Sequence, residues 1–190
     1  MPTLDASALG APRRLLLDSA VWIAATMNVS GVVSPELLLI LEQAAHEGRL
    51  WTSAAVVWEL ALLARRGDIY FGDFSAWLAD QKRPPGVTIH PMTEELAYES
   101  TVLPGWMPST AGSYAAGAGG VAPSAPATAP TAHALPSSEA IDRFLVATAY
   151  HIGAVLVTTD PALLAYAASG GLEAYDARPS PVTAGLLATK

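Results

Sequence analysis

Four acidic residues of this chain stand where the neighbouring sequence is apolar. Asp18 closes the run Leu15-Leu16-Leu17 and leads, after Ser19, into "AVWIAA". Glu59 is the only charged residue between Ala54 and Ala64, and Ala55, Val56, Leu62 and Leu63 lie one helical turn from it. Asp142 borders Ile141, Phe144, Leu145, Thr148 and Ile152, a stripe with helical spacing, and Asp160 ends "VLVTTD". Carboxylates brought together in a low dielectric repel one another, and some are forced to hold a proton. A hard divalent cation removes that penalty. Oxygen ligation without cysteine or paired histidine suits Mg²⁺ or Mn²⁺ rather than zinc.

Each acid also has a plainer role open to it. Asp18 could cap "SAVWIAA", and Asp160 could cap "PALLAYA", where Pro161 suits a first helical position. Asp142 could pair with Arg143, and Glu59 could be a surface residue beside a loop. Convergence of all four favours a site.

The elements that must position these acids follow from periodicity. "RLLLD" at 14–18, "LWTSA", "VTIHPM", "AVLVTT" and the stretch near "LEAYDA" predict five strands. Helices are expected over "SAVWIAATMN", from Ser34-Pro35 to about Gly48, over "AAVVWELALLARRG" as far as Gly67, and over "FSAWLADQK" before Pro84-Pro85-Gly86. Others are expected over "TEELAYEST" with Thr93 as cap, from Glu139 to Ile152, and from Pro161 to Ala168. Strands alternating with helices imply an α/β fold with a parallel sheet covered on both faces. Asp18 and Asp160 then lie at carboxyl ends of strands, the edge where open α/β sheets form their ligand crevice. Asp142 falls in the first turns of its helix, where the dipole favours negative charge and Ser137 or Ser138 can cap.

At 190 residues the chain suits one domain with a sizeable core. Its 52% hydrophobic content points to a subunit or partner interface or to a large core. No apolar run reaches the ~18 residues of a membrane span, and the start lacks the pattern of a signal peptide. The absence of cysteine fits a reducing cytoplasm. A net charge of -7 argues against a general nucleic-acid coat protein but not against a nuclease, whose metal restores positive potential locally. Between Thr101 and Ser138 there is no Asp, Glu, Lys or Arg, so 108–136 is expected to be a flexible insertion within the domain.

"LLLDSAVWI", "VVWELALLARRG" and "IDRFLVATAYHIGAVLVTTD", in this order, resemble PIN-domain ribonucleases, particularly VapC-like toxins of toxin–antitoxin pairs. The resemblance covers most of the chain apart from the first dozen residues and the insertion. It implies a three-layer α/β/α fold, Mg²⁺-dependent cleavage of RNA, a homodimer and inhibition by a cognate antitoxin. By position Asp18, Glu59, Asp142 and Asp160 match the family's metal-binding acids, and Thr158 matches the hydroxyl residue that helps hold the site. Bound metal lowers the pKa of water and polarises the scissile phosphate, with a 5′-phosphate and a 3′-hydroxyl as expected products. Two departures stand out. "EAIDR" places Glu139 where an aspartate often sits, as an auxiliary ligand or only a helix start. The insertion is much longer than the usual loop before this helix.

Other groups carry less. His46, His90, His133 and His151 show no ligand spacing, and Arg65-Arg66 suit either dipole compensation or a phosphate contact. The five tryptophans are expected mostly in the core, with some at a dimer or antitoxin interface, where tryptophan is favoured. A haloacid-dehalogenase-like phosphatase needs a second aspartate at the position of Ala20. An inactive RNA- or protein-binding module of the same fold is the remaining alternative.

Overall fold

The computed structural model describes residues 9, 12–27, 29–106, 138–170 and 172–179. The strands are β1 (Leu15–Leu17), β2 (Leu50–Ser53), β3 (Thr88–His90), β4 (Val155–Thr158) and β5 (Ala174–Asp176), all parallel in the order β3-β2-β1-β4-β5. The helices are α1 (Ser19–Thr26), α2 (Pro35–His46), α3 (Ala54–Arg66), α4 (Phe74–Gln81), α5 (Glu94–Glu99), α6 (Ser138–Ile152) and α7 (Pro161–Gly170). They flank the sheet in a three-layer α/β/α arrangement. The fold class expected from the sequence is therefore observed.

β1 and β4 form the middle of the core because they are covered on both faces. Leu15, Leu16, Leu17, Val155, Leu156 and Val157 are all fully buried, which is why these strands read as unbroken apolar runs rather than alternating ones. Each such side chain contributes roughly 1.5–3 kcal/mol. Parallel pairing aligns Leu17 with Val157, so the chain leaves β1 and β4 at the same edge of the sheet.

Local chemistry sets the helix ends. Ser34 accepts from the Leu37 N–H at 3.1 Å with Pro35 at the first helical position, Ser53 accepts from Ala55, and Thr93 accepts from Leu96. Gly67 ends α3 at φ +82°, a left-handed conformation that costs glycine nothing. β4 is shorter at both ends than "AVLVTT" suggests. The Ala154 N–H closes the end of α6 on the Ala149 carbonyl, and the Thr159 N–H is spent on the Asp18 carboxylate instead of a neighbouring strand.

Among the described residues no helix is long and apolar enough to cross a membrane. The insertion expected at 108–136 and the Ser137 cap lie outside the described residues, as does the Ser138 side chain. Trp22 is buried as expected, but Trp58 is 42% exposed. It sits on the outer side of α3, whose core-facing residues are Ala55, Val56 and Leu60.

Candidate functional site

Asp18 leaves β1 and caps α1 in the same residue. One carboxylate oxygen accepts from the Val21 N–H at 2.7 Å. The other accepts from the Thr158 hydroxyl and from the Thr159 N–H at 3.2 Å. Asp18 is buried, and burial pushes its carboxyl above the ordinary range. The three hydrogen bonds oppose that rise, while the nearby charge of Asp160 adds to it.

Thr158 links two of the acids. Its hydroxyl donates to Asp18 and accepts from the Asp160 N–H at 2.9 Å. Asp160 in turn caps α7, accepting from Ala162 at 2.6 Å and Leu163 at 3.3 Å. The capping roles foreseen for Asp18 and Asp160 are thus real. They coexist with a place in the cleft, because a carboxylate has more acceptor positions than one cap uses.

Glu59 and Asp142 approach from α3 and α6. Both are half-buried, and together with Asp18 and Asp160 they line a cleft of about 330 Å³ floored by Val56, Leu145 and Leu163. The Asp142 carboxyl is pushed up to about 7, first by burial and then by the charges of Asp160, Glu59, Asp18 and Glu139. Glu139 does not line the cleft. It stands beside it, accepting from the Trp106 indole N–H at 3.5 Å, and acts on Asp142 through its charge.

Two features of the site had no signal in the sequence. The Thr148 hydroxyl lies 2.7 Å from the Phe144 carbonyl and 3.2 Å from the Ser53 hydroxyl, which caps α3. This buried link ties α6 to the start of α3 and so sets Asp142 against Glu59. Arg143 does not pair with Asp142. Its guanidinium lies over the Trp106 ring, 5.8 Å from the centroid.

The remaining candidates lie apart from the cleft lining. His151 faces Glu99 at 3.5 Å and packs edge-on against His90. Arg66 pairs with Asp68 at 2.8 Å, and Arg65 is exposed at the end of α3.

The donor set suits a hard divalent cation, since the groups lining the cleft and the Thr158 hydroxyl beside Asp18 are oxygen donors. Among the described residues, however, no three His, Cys, Asp or Glu side chains are gathered tightly enough to hold one ion as they stand. Asp18 accepts backbone N–H groups from Val21 in α1 and from Thr159 after β4, and Asp160 accepts those of Ala162 and Leu163 in α7. Ligation of one ion by three or more of these carboxylates therefore requires some of them to move. Comparison of the chain with protein-family models and with curated proteins finds no match.

Proposed function

We propose that this chain is a metal-dependent endoribonuclease of the PIN-domain, VapC-like kind that its motifs resemble. The observation that supports this most is the meeting of four carboxylates from separate parts of the fold in one cleft, at the carboxyl edge of a parallel sheet. Purely structural acids have little reason to be placed where their charges raise the Asp142 carboxyl, whereas a cation-binding site does. In this reading Asp18, Glu59, Asp142 and Asp160 hold Mg²⁺ or Mn²⁺. When bound, the metal supplies an activated water and charge stabilisation for phosphodiester hydrolysis.

The chain's own residues then divide the remaining work. Thr158 and the Val21 and Thr159 N–H groups fix the Asp18 carboxylate. Asp142, whose carboxyl lies at about 7 without metal, would give up its proton as a cation binds. Val56, Leu145 and Leu163 restrict water at the floor of the cleft. The partners belonging to this reading are an RNA substrate, a second copy of the chain and a cognate antitoxin, in a reducing cytoplasm.

The test combines metal-linked stability with cleavage. Mn²⁺ should raise the melting temperature of the full chain, since a ligand at a hundred times its Kd stabilises the folded state by about 2.7 kcal/mol. Glu59→Gln and Asp142→Asn should remove most of that shift and lower RNA cleavage by about two orders of magnitude or more. Neither side chain caps a helix through a described hydrogen bond, so these variants isolate the charge from the fold. No thermal shift, together with no Mn²⁺-dependent RNA cleavage by the wild type, would replace the nuclease with the inactive binding module. Wild-type cleavage by both variants would remove these acids from the site.

A further inference from the structure

One cationic side chain beside the cleft has no acidic partner within ion-pair distance among the described residues. Among the described residues Arg13, Arg49, Arg66, Arg83 and Arg178 form ion pairs with carboxylates, Arg14 donates to the Ile152 carbonyl, and Arg65 and Lys82, which form no ion pair, do not line the cleft. Arg143 forms no ion pair with any described residue, although Asp142 precedes it and Glu139 lies one turn before it. Its Nε is buried and has no hydrogen-bond partner. A guanidinium remains charged at every ordinary pH and has five donors to satisfy. The Nε shares this unpartnered state with the Trp51 and Trp77 indole nitrogens and is closed to solvent, so an anion would have to meet the terminal Nη groups.

The surroundings hold this side chain in place without neutralising it. The guanidinium rests over Trp106, and the Trp106 indole N–H is occupied by Glu139. The Trp106 ring also packs at 4.9 Å on Tyr166, whose hydroxyl donates to the Pro104 carbonyl at 2.9 Å. Arg143 is therefore braced by an aromatic pair that is itself anchored to α6, α7 and the turn at Pro104. An aromatic face attracts a guanidinium while leaving its outer N–H groups available to an anion.

Helix geometry sets where that anion would lie. Neighbouring residues are about 100° apart around an α-helix and rise about 1.5 Å. Ile141 and Asp142 both line the cleft and Arg143 does not, so Arg143 stands at the cleft's edge on the side away from Ile141. A planar fork beside a site for one phosphodiester is suited to the oxygens of the next.

We infer that Arg143, braced on Trp106, binds a backbone phosphate of single-stranded RNA adjacent to the phosphodiester in the acidic cleft. This rests on the ribonuclease reading and adds the residue that positions the strand. It also addresses a difficulty of charge. A chain of net charge -7 must hold a polyanion beside its own carboxylates, and a braced cation at the cleft's flank offsets the repulsion locally.

The test uses the full chain, a labelled single-stranded RNA oligonucleotide and fluorescence anisotropy in Ca²⁺ over a range of salt, with cleavage measured separately in Mg²⁺. Arg143→Gln should weaken binding about tenfold and reduce the slope of log affinity against log salt by about 0.7, the value for one phosphate contact on a single strand. KM should rise while kcat changes little. Arg143→Lys should keep the wild-type slope but bind more weakly, having charge without the fork. Trp106→Leu should weaken binding without changing the slope. If Arg143→Gln does not fold, the lysine variant decides, and wild-type affinity in it overturns the inference. Wild-type affinity and slope in a folded Arg143→Gln overturn it directly. Should wild type cleave RNA while these variants bind as it does, only this inference fails. Should wild type neither bind nor cleave RNA, the ribonuclease reading fails with it.

Discussion

Asp18 and Asp142 carry the same functional group and are raised in the same direction, but their surroundings predict opposite responses to amidation. Asp142 is raised by burial and by four like charges, and no described hydrogen bond holds it. Its folded pKa of about 7 lies above the ordinary 3.8, so between about pH 4 and 7 the folded chain binds the extra proton and the unfolded chain does not. Stability from this group is therefore full at low pH and falls as pH rises through 7. Asp142→Asn removes that dependence. Its melting temperature should match wild type near pH 4 and exceed it by several degrees at pH 8, at about 2–4 °C per kcal/mol for a chain of this size. Asp18→Asn should do the reverse, although its burial alone suggests relief. The Val21, Thr158 and Thr159 donors occupy both carboxylate oxygens. An amide turns an NH₂ toward one set of them and leaves a backbone N–H unpaired, at a cost of about 1–3 kcal/mol. Thermal melts of both variants without divalent ions at pH 5 and pH 8 separate the two cases. A stabilised Asp18→Asn at pH 8 would mean that repulsion outweighs the hydrogen bonds.

At the level of elements, the parts most legible in the sequence were those whose chemistry is local. β1 and β4 are doubly covered and hence wholly apolar, and Ser34, Thr93 and Gly67 mark helix ends by what their side chains or backbones can do. The four acids were legible because a carboxylate in an apolar stretch is costly without a reason. Contacts between distant segments were not legible. Nothing near Thr148 in the chain indicates that its hydroxyl will reach Ser53, and nothing near Trp106 indicates that it will support Arg143. Which tryptophan would be exposed was not legible, because helical periodicity gives a face but not what covers it. The Thr148 link yields a comparison between two helices. Ser34→Ala removes the α2 cap and should cost about 1 kcal/mol, with cleavage unchanged. Thr148→Val removes the bond between α6 and the α3 cap and should cost a similar amount of stability. Because it frees Asp142 to shift against Glu59, it should also lower cleavage about tenfold. Equal activity in two equally destabilised variants would show that the Thr148 link supports the fold but not the site.

At the scale of the whole molecule, apolar surface and net charge act in opposite directions. Hydrophobic residues make up 52% of the chain and its mean hydropathy is +0.34. The core accounts for much of this, yet Leu39, Tyr70, Tyr98 and Val102 are all more than half exposed, and Trp58 is 42% exposed. Single exposed apolar residues are ordinary, but this number of large ones in a chain of 190 favours association with a second copy. Opposing it, two copies at -7 each repel whichever faces meet. The Debye length falls from roughly 14 Å at 50 mM salt to roughly 6 Å at 300 mM, so added salt screens that repulsion while leaving apolar burial intact. An association held mainly by cross-chain ion pairs would weaken over the same range. Sedimentation equilibrium should therefore give a mass approaching twice 19.7 kDa, with the dimer fraction increasing from 50 to 300 mM salt. A fraction that declines with salt would place ion pairs, not apolar surface, at the interface. A mass of 19.7 kDa at every concentration and salt would remove the homodimer altogether.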